Sequence, residues 1–260
     1  MPVITLTSDW GFHDHYVAAL KGRILGIDNS LSVVDLNHSI QPFNIAQAAF
    51  IIRNSYALFP EGSVHLICVN SESPKGKNCL ALKAEGHFFI LGDNGLPGLI
   101  FDEDQPLQAF AIEKFGPCLS TFPELELFVP AACHLARSGK IEELGKKIAN
   151  PDRQVPLRPT IDESVITGSV IYIDSYQNAI TNISQNLMER IGKTRKFEIF
   201  IKSNHYRVNR INLKYSETPI GDLLVIFNSA GLLEVAINNG NASDLLGLSI
   251  GSAIRIKFND

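Results

Sequence analysis

The chain has 260 residues, 45% of them hydrophobic, and a formal net charge of −4. That length and apolar content suffice for two domains with real cores. There is no concentrated basic patch for nucleic acid or an anionic membrane, no apolar run long enough to span a bilayer, and the start M-P-V-I-T-L-T-S-D-W enters a strand pattern rather than a signal peptide. A cytoplasmic protein with neither nucleic-acid nor membrane partner is therefore expected.

Val3 to Thr7 is a continuous apolar and β-branched run that reads as a buried parallel strand ending in Ser8-Asp9-Trp10-Gly11. His13 or Asp14 opens a helical pattern in which Tyr16, Val17, Leu20, Ile24 and Leu25 recur at three and four. Leu31 to Leu36 is a second strand, and about Ile45 to Leu58 a second helix that stops before Pro60-Glu61-Gly62. This alternation predicts βαβ units and a mostly parallel sheet.

Val64 to Asn78 starts as a strand and ends in a loop of turn formers carrying Lys75 and Lys77. Loops at the carboxyl ends of strands hold ligands in open α/β folds, so this loop faces the site. Leu80 to Ala84 and His87 to Leu91 form a hairpin through Glu85-Gly86, and Gly92-Asp93-Asn94-Gly95 delivers two polar side chains to a strand end. Phe110 to Ile112 is a further strand; a helix over about Ala131 to Arg137 is ended by Ser138-Gly139.

Lys140 to Glu163 is charged and breaker-rich, the stretch for a linker. Beyond it, Ser164 to Ile173, Lys196 to Ile201, Tyr206 to Ile211, Leu223 to Phe227, Leu232 to Ile237 and Ala253 to Phe258 are short β-type runs, and only Ala242 to Leu246 looks helical. The expected organisation is an N-terminal, three-layer-like α/β domain over 1–150, a linker over 151–163 and a smaller all-β barrel domain over 164–260. Cys68, Cys79, Cys118 and Cys133 lack metal spacing and sit among apolar residues, which predicts buried, reduced thiols and no metal site.

Asp9 lies just past the first strand, on the same edge as the loop beginning at Asn70. It is either a turn former and helix cap, or a carboxylate that accepts hydrogen bonds from the vicinal hydroxyls of a ribose.

Six segments fall in the order found in one family: I-T-L-T-S-D-W-G from Ile4, V-A-A-L-K-G-R-I from Val17, V-V-D-L-N-H-S-I from Val33, F-P-E-G-S-V-H from Phe59, D-N-G-L from Asp93 and Y-I-D-S-Y-Q-N from Tyr172. Together they resemble the adenosine-forming S-adenosylmethionine hydrolases, or SAM hydroxide adenosyltransferases, relatives of the fluorinating and chlorinating enzymes. The resemblance runs from Ile4 to about Phe258.

The resemblance implies a homotrimer that holds S-adenosylmethionine or adenosine between the N-terminal domain of one subunit and the C-terminal domain of the next, with no cofactor. Water or hydroxide would displace methionine from the ribose C5′. Position by position, it places Asp9 on the ribose hydroxyls, Asp14 and Ser229 toward methionine, and Phe43 along the adenosine pocket; Asn94, delivered to a strand end within D-N-G-L, is a further substrate-binding candidate. Asn178 falls on the base, with Asp174 and Tyr176 beside it. From the residues alone, the alternatives of an ordinary core residue for Phe43 and an ordinary turn residue for Asn178 stay open.

The sequence departs from the family where water is activated. The hydrolases carry D-P-G-V-G-T-x-R-R where this chain has N-S-E-S-P-K-G-K-N, so the aspartate is Asn70 and the arginine Lys77; F-H-G-R-D is F-P-E-L-E here, so the histidine is Pro123. An amide takes no proton from water at neutral pH, proline offers no side-chain donor, and lysine lacks the planar fork of arginine. Three readings follow. One is a hydrolase whose base is reassigned to Glu72, Glu124 or Glu126. The second is a degenerate member that binds without turnover. The third uses another anionic nucleophile, attracted by Lys75 or Lys77. Among the histidines, His38 and His65 read as packed, His13 and His15 as near the pocket mouth, and His134 as a remote substitute imidazole.

Overall fold

The computed structural model describes residues 2–72, 79–117 and 120–259, which divide into two compact units, Met1–Pro156 and Leu157–Asp260. The first unit runs β1 (Val3–Ser8), α1 (Tyr16–Ile27), β2 (Ser32–Asn37), α2 (Ile45–Arg53), β3 (Val64–Cys68), β4 (Cys79–Ala84), β5 (His87–Gly92), α3 (Leu96–Ile100), β6 (Gln108–Ala111), α4 (Val129–Ser138) and β7 (Lys147–Ile148). Its strands make one seven-stranded sheet in the order β2-β1-β3-β5-β4-β6-β7.

β2, β1, β3 and β5 are parallel neighbours, whereas β4, β6 and β7 join antiparallel. The mostly parallel sheet expected from the alternation is therefore a mixed one. The hairpin explains the change of direction: Glu85 and Gly86 have φ of +46° and +78°, the two positive values that a tight two-residue connection between antiparallel strands requires.

Alternation along β3 sends Val64, Leu66 and Cys68 into a core shared with Leu20 and Ile24 of α1 and Ala131, Ala132 and Leu135 of α4. Ile67 points the other way, to Ala48, Ala49 and Ile52 of α2 and to Leu96 and Ile100 of α3. Helices thus cover both faces of the sheet. The second helix is shorter than expected, because Asn54 Nδ2 donates to Phe50 O at 2.7 Å and Ser55 Oγ to Ile51 O at 2.7 Å, capturing the carbonyls that would continue it. Gly139, at φ +64°, ends α4.

Cys68 and Cys133 are buried free thiols, but Cys79 is disulfide-bonded, which corrects the expectation of reduced cysteines throughout. Disulfide formation depends on two Cα atoms coming within about 7 Å, and sequence spacing does not reveal that. Cys118 lies outside the described residues.

The second unit contains β8 (Thr160–Asp162), β9 (Val165–Ile173), β10 (Ala179–Ser184), α5 (Gln185–Gly192), β11 (Lys196–Ile201), β12 (Tyr206–Val208), β13 (Leu223–Phe227), β14 (Leu232–Ile237), α6 (Ala242–Leu246) and β15 (Ala253–Asn259). Its eight-stranded sheet runs β12-β11-β15-β9-β10-β14-β13, with β8 paired to β9 inside the stretch read as a linker. The chain leaving β12 bridges back to β13, where Asn212 N donates to Val225 O at 2.8 Å, so the sheet curls nearly into a barrel around Ile166, Val170, Ile199, Val235 and Ile254. It is not all-β as expected. Ser184 caps α5 by accepting from Leu187 N at 3.2 Å, a start signal the sequence carries but that the surrounding β-type runs obscure.

Candidate functional site

Because β1, β2, β3 and β5 are parallel, the loops leaving their carboxyl ends share one edge, where open α/β sheets hold ligands. Asp9 is the first residue past β1. Its Oδ2 accepts from Phe43 N at 2.7 Å, while Gly11 N donates to His38 O at 2.7 Å, tying the β1 loop to the β2 loop. Phe43 has φ +66° and is 73% exposed, so its ring is not core. A bulky side chain in that conformation costs about 1–3 kcal/mol, and the Asp9 carboxylate is what holds it there. His38 is packed beneath, with Nδ1 2.7 Å from Ser8 Oγ and Nε2 3.2 Å from Asp35 Oδ1.

Past β3, Asn70 takes φ +47° and has an exposed side chain. Asn94 fixes this loop: its Nδ2 donates to Val69 O at 3.2 Å and Asn70 O at 2.9 Å, and its Oδ1 accepts from Leu96 N at 3.2 Å. The Asn94 amide is thus committed to backbone. Gly92 completes the packing, since a Cβ there would stand 2.7 Å from Ser71 O. Lys77 and Lys75 lie outside the described residues.

The three glutamates separate clearly. Glu72 and Glu126 are exposed; Glu124 is only 6% exposed. Glu124 opens a wide π-helical turn, Glu124–Phe128, ahead of α4. Wide turns of this kind are rare and recur at functional sites. Burial pushes the Glu124 carboxyl above the ordinary range; its own backbone and the Ser71 hydroxyl pull the other way, and the nearby Asp9 charge adds to the rise. Ser71 Oγ is buried beside Glu124 and, among the described residues, makes no hydrogen bond of good geometry. The Cys68 thiol is pushed well up by burial, then by Glu124 and Asp9.

Aromatic packing brings these groups together. Trp10, which follows Asp9, and Phe122, two residues before Glu124, meet at 5.5 Å between ring centroids, and Tyr16 lies 5.6 Å from each. Asp14, His13 and His15 are exposed, and the His15 ring lies 4.5 Å from that of Tyr16. His134 lies elsewhere: its Nε2 is 3.2 Å from Glu143 Oε2 and its Nδ1 is 3.5 Å from Lys114 Nζ.

In the second unit, Asp174 staples the turn between β9 and β10. Its Oδ1 accepts from Tyr176 N at 2.9 Å and Asn178 N at 2.8 Å, and its Oδ2 from Asn178 Nδ2 at 3.2 Å. The turn buries Asn178 and leaves Tyr176 79% exposed at its tip. Ser229 is exposed on the β13–β14 turn, which Asn228 Oδ1 holds by accepting from Ala230 N and Leu232 N at 3.0 and 3.2 Å.

Three residues of this cluster escaped the sequence reading: Asn228, Glu234 and Tyr215. Glu234 is buried, accepting from Tyr215 OH at 2.7 Å and Asn228 Nδ2 at 3.2 Å. Burial raises its carboxyl, against those two hydrogen bonds and with help from the Asp174 charge. The signal was a lone charge inside L-L-E-V-A-I, otherwise an apolar strand.

These features define a two-unit α/β protein with one polar cluster at the carboxyl ends of parallel strands and another on the turns of a curled antiparallel sheet. The chain belongs to the SAM hydroxide adenosyltransferase family, whose N-terminal domain matches residues 4–145 and C-terminal domain residues 168–255. It is 31% identical to the (R)-S-adenosyl-L-methionine hydrolase of Thermus thermophilus, covering 98% of this chain and 100% of that one. A fluorinase of Actinoplanes is 25% identical, over 98% and 97% of the two chains. The crystal structure of an uncharacterized conserved protein from Thermotoga maritima superposes with a TM-score of 0.88 at 25% identity, covering 98% of this chain and all of the other.

Proposed function

We propose that the chain hydrolyses S-adenosylmethionine to adenosine and methionine. The observation that carries this is Asp9: one carboxylate oxygen holds Phe43, and the other has no hydrogen-bond partner among the described residues. That leaves an acceptor at a strand end for the two ribose hydroxyls, in a chain that aligns over 98% of its length with a named hydrolase. In this reading Phe43 lines the adenosine, Asp14 lies toward methionine, and Asn94 supports the loop that faces C5′. Asp174, Tyr176 and Asn178 receive the base, and Ser229 the methionine end.

The substrate's sulfonium is already a good leaving group, so the protein's task is to align one water in line with the C5′–S bond and keep bulk water out. We further infer a homotrimer in the cytoplasm, the second cluster being supplied to each ligand by another copy. Incubation with S-adenosylmethionine and chromatography of the products tests the activity, with adenosine and methionine expected in equal amounts. A chain that binds adenosine in calorimetry yet yields none is instead the binding-only member that Asn70 and Pro123, in place of the family's aspartate and histidine, would suggest. Light scattering of the pure protein tests the trimer.

A further inference from the structure

We propose that Glu124 is the general base of the hydrolysis, with the Ser71 hydroxyl positioning the attacking water; this rests on the hydrolase reading above. Deprotonating water beside C5′ needs a group that accepts a proton at neutral pH, and Asn70 is an amide. The other carboxylates that the sequence places on this edge are given to the fold and the ribose or stand in water. Asp9 holds Phe43, while Asp14, Glu72 and Glu126 are exposed.

Among the described residues two carboxylates are buried at these strand ends, Glu124 and Asp93, and Asp93 is engaged, its Oδ1 accepting from Asp152 N at 2.8 Å. Ser8 and Cys68 are register partners of β1 and β3, so the Asp9 and Asn70-Ser71 loops leave the sheet side by side; Glu124 feels the Asp9 charge and the Ser71 hydroxyl and in turn raises the Cys68 thiol. The Trp10–Phe122 contact fixes that approach from both chain segments. Ser71 Oγ, buried beside the Glu124 carboxyl without a well-formed hydrogen bond among the described residues, is placed to hold a water against that carboxyl. Burial supplies the remaining requirement by moving the carboxyl toward neutrality, where a base is effective.

The step balances. As the water oxygen forms its bond to C5′, its proton passes to the Glu124 carboxylate, and the C5′–S bond breaks with its electron pair going to sulfur. The products are adenosine and neutral-thioether methionine, and the proton leaves Glu124 to solvent.

The test compares Glu124→Gln and Glu124→Asp with the unaltered chain, following adenosine release over a pH series together with adenosine affinity by calorimetry. Glu124→Gln is expected to lose about 100-fold or more in kcat, with adenosine affinity retained. Glu124→Asp is expected to recover part of the rate. The unaltered chain should gain rate with pH along one carboxyl titration that Glu124→Gln lacks. Equal rates in Glu124→Gln and the unaltered chain overturn the assignment while leaving the hydrolase reading intact; so does a comparable loss in Glu72→Gln or Glu126→Gln alone. Adenosine binding without any adenosine production by the unaltered chain overturns the hydrolase reading and Glu124's role with it.

Discussion

Gly92→Ala tests whether the β3 loop is held by close backbone contact. Gly92 ends β5 with ordinary φ, so alanine meets no conformational strain there, and with free space it would stabilise the chain by about 0.4–1 kcal/mol. Space is absent. The new Cβ would lie 2.7 Å from Ser71 O and 3.2 Å from Ser71 C and Cα, against an ordinary contact beginning at 3.4 Å, so the loop must retreat by 0.7 Å. Overpacking of that kind costs about 1–3 kcal/mol, and each kcal/mol lowers Tm by roughly 2–4 °C at this size. The displaced residues include Ser71, so kcat should fall as well, by about 10-fold or more, since a 1 Å error near reacting atoms costs about 100-fold. Calorimetric melting and adenosine-release kinetics are the assays. A variant that melts at or above the parent temperature with unchanged kcat would refute the close contact and the role given to this loop.

Four further outcomes follow from the same geometry. Asp9→Asn keeps an acceptor for Phe43 N but loses the charge, so Tm should hold while adenosine affinity drops about 10–100-fold, the worth of one charge-assisted hydrogen bond. Glu124 keeps its proton to higher pH when folded than unfolded; its favourable contribution is present at low pH and lost as pH rises through its raised value, so Glu124→Gln should melt above the parent at neutral and higher pH and match it in acid. Tyr215→Phe strands a buried Glu234 oxygen and should cost about 1–3 kcal/mol in urea unfolding. His65 is held down to about 3 by burial and then by neighbouring His87, so the fold binds fewer protons than the unfolded chain between pH 6.5 and 3; stability should fall with pH through that window, and more gently in His65→Gln.

Much of this was legible from residue order. The strands flanking Asp9, the tight turn at Glu85-Gly86, the stop at Gly139 and the runs that became β11, β13 and β14 follow from local chemistry, which acts over a few residues and is written in them. The family was legible for the same reason, as short ordered motifs. The direction of β4, β6 and β7, the Cys79 disulfide and helix α5 were not, because pairing partners and competing local preferences are settled at a distance.

What the sequence determined by itself is the inventory at the strand ends: a carboxylate at Asp9, an amide at Asn70, and Pro123 ahead of the glutamates that precede α4. Three glutamates stood equal in that inventory. Only tertiary structure told them apart, since burial, and with it a carboxyl's hold on its proton, is set by residues far away in the chain. Glu124 is buried beside Ser71 and Cys68, whereas Glu72 and Glu126 stand in water.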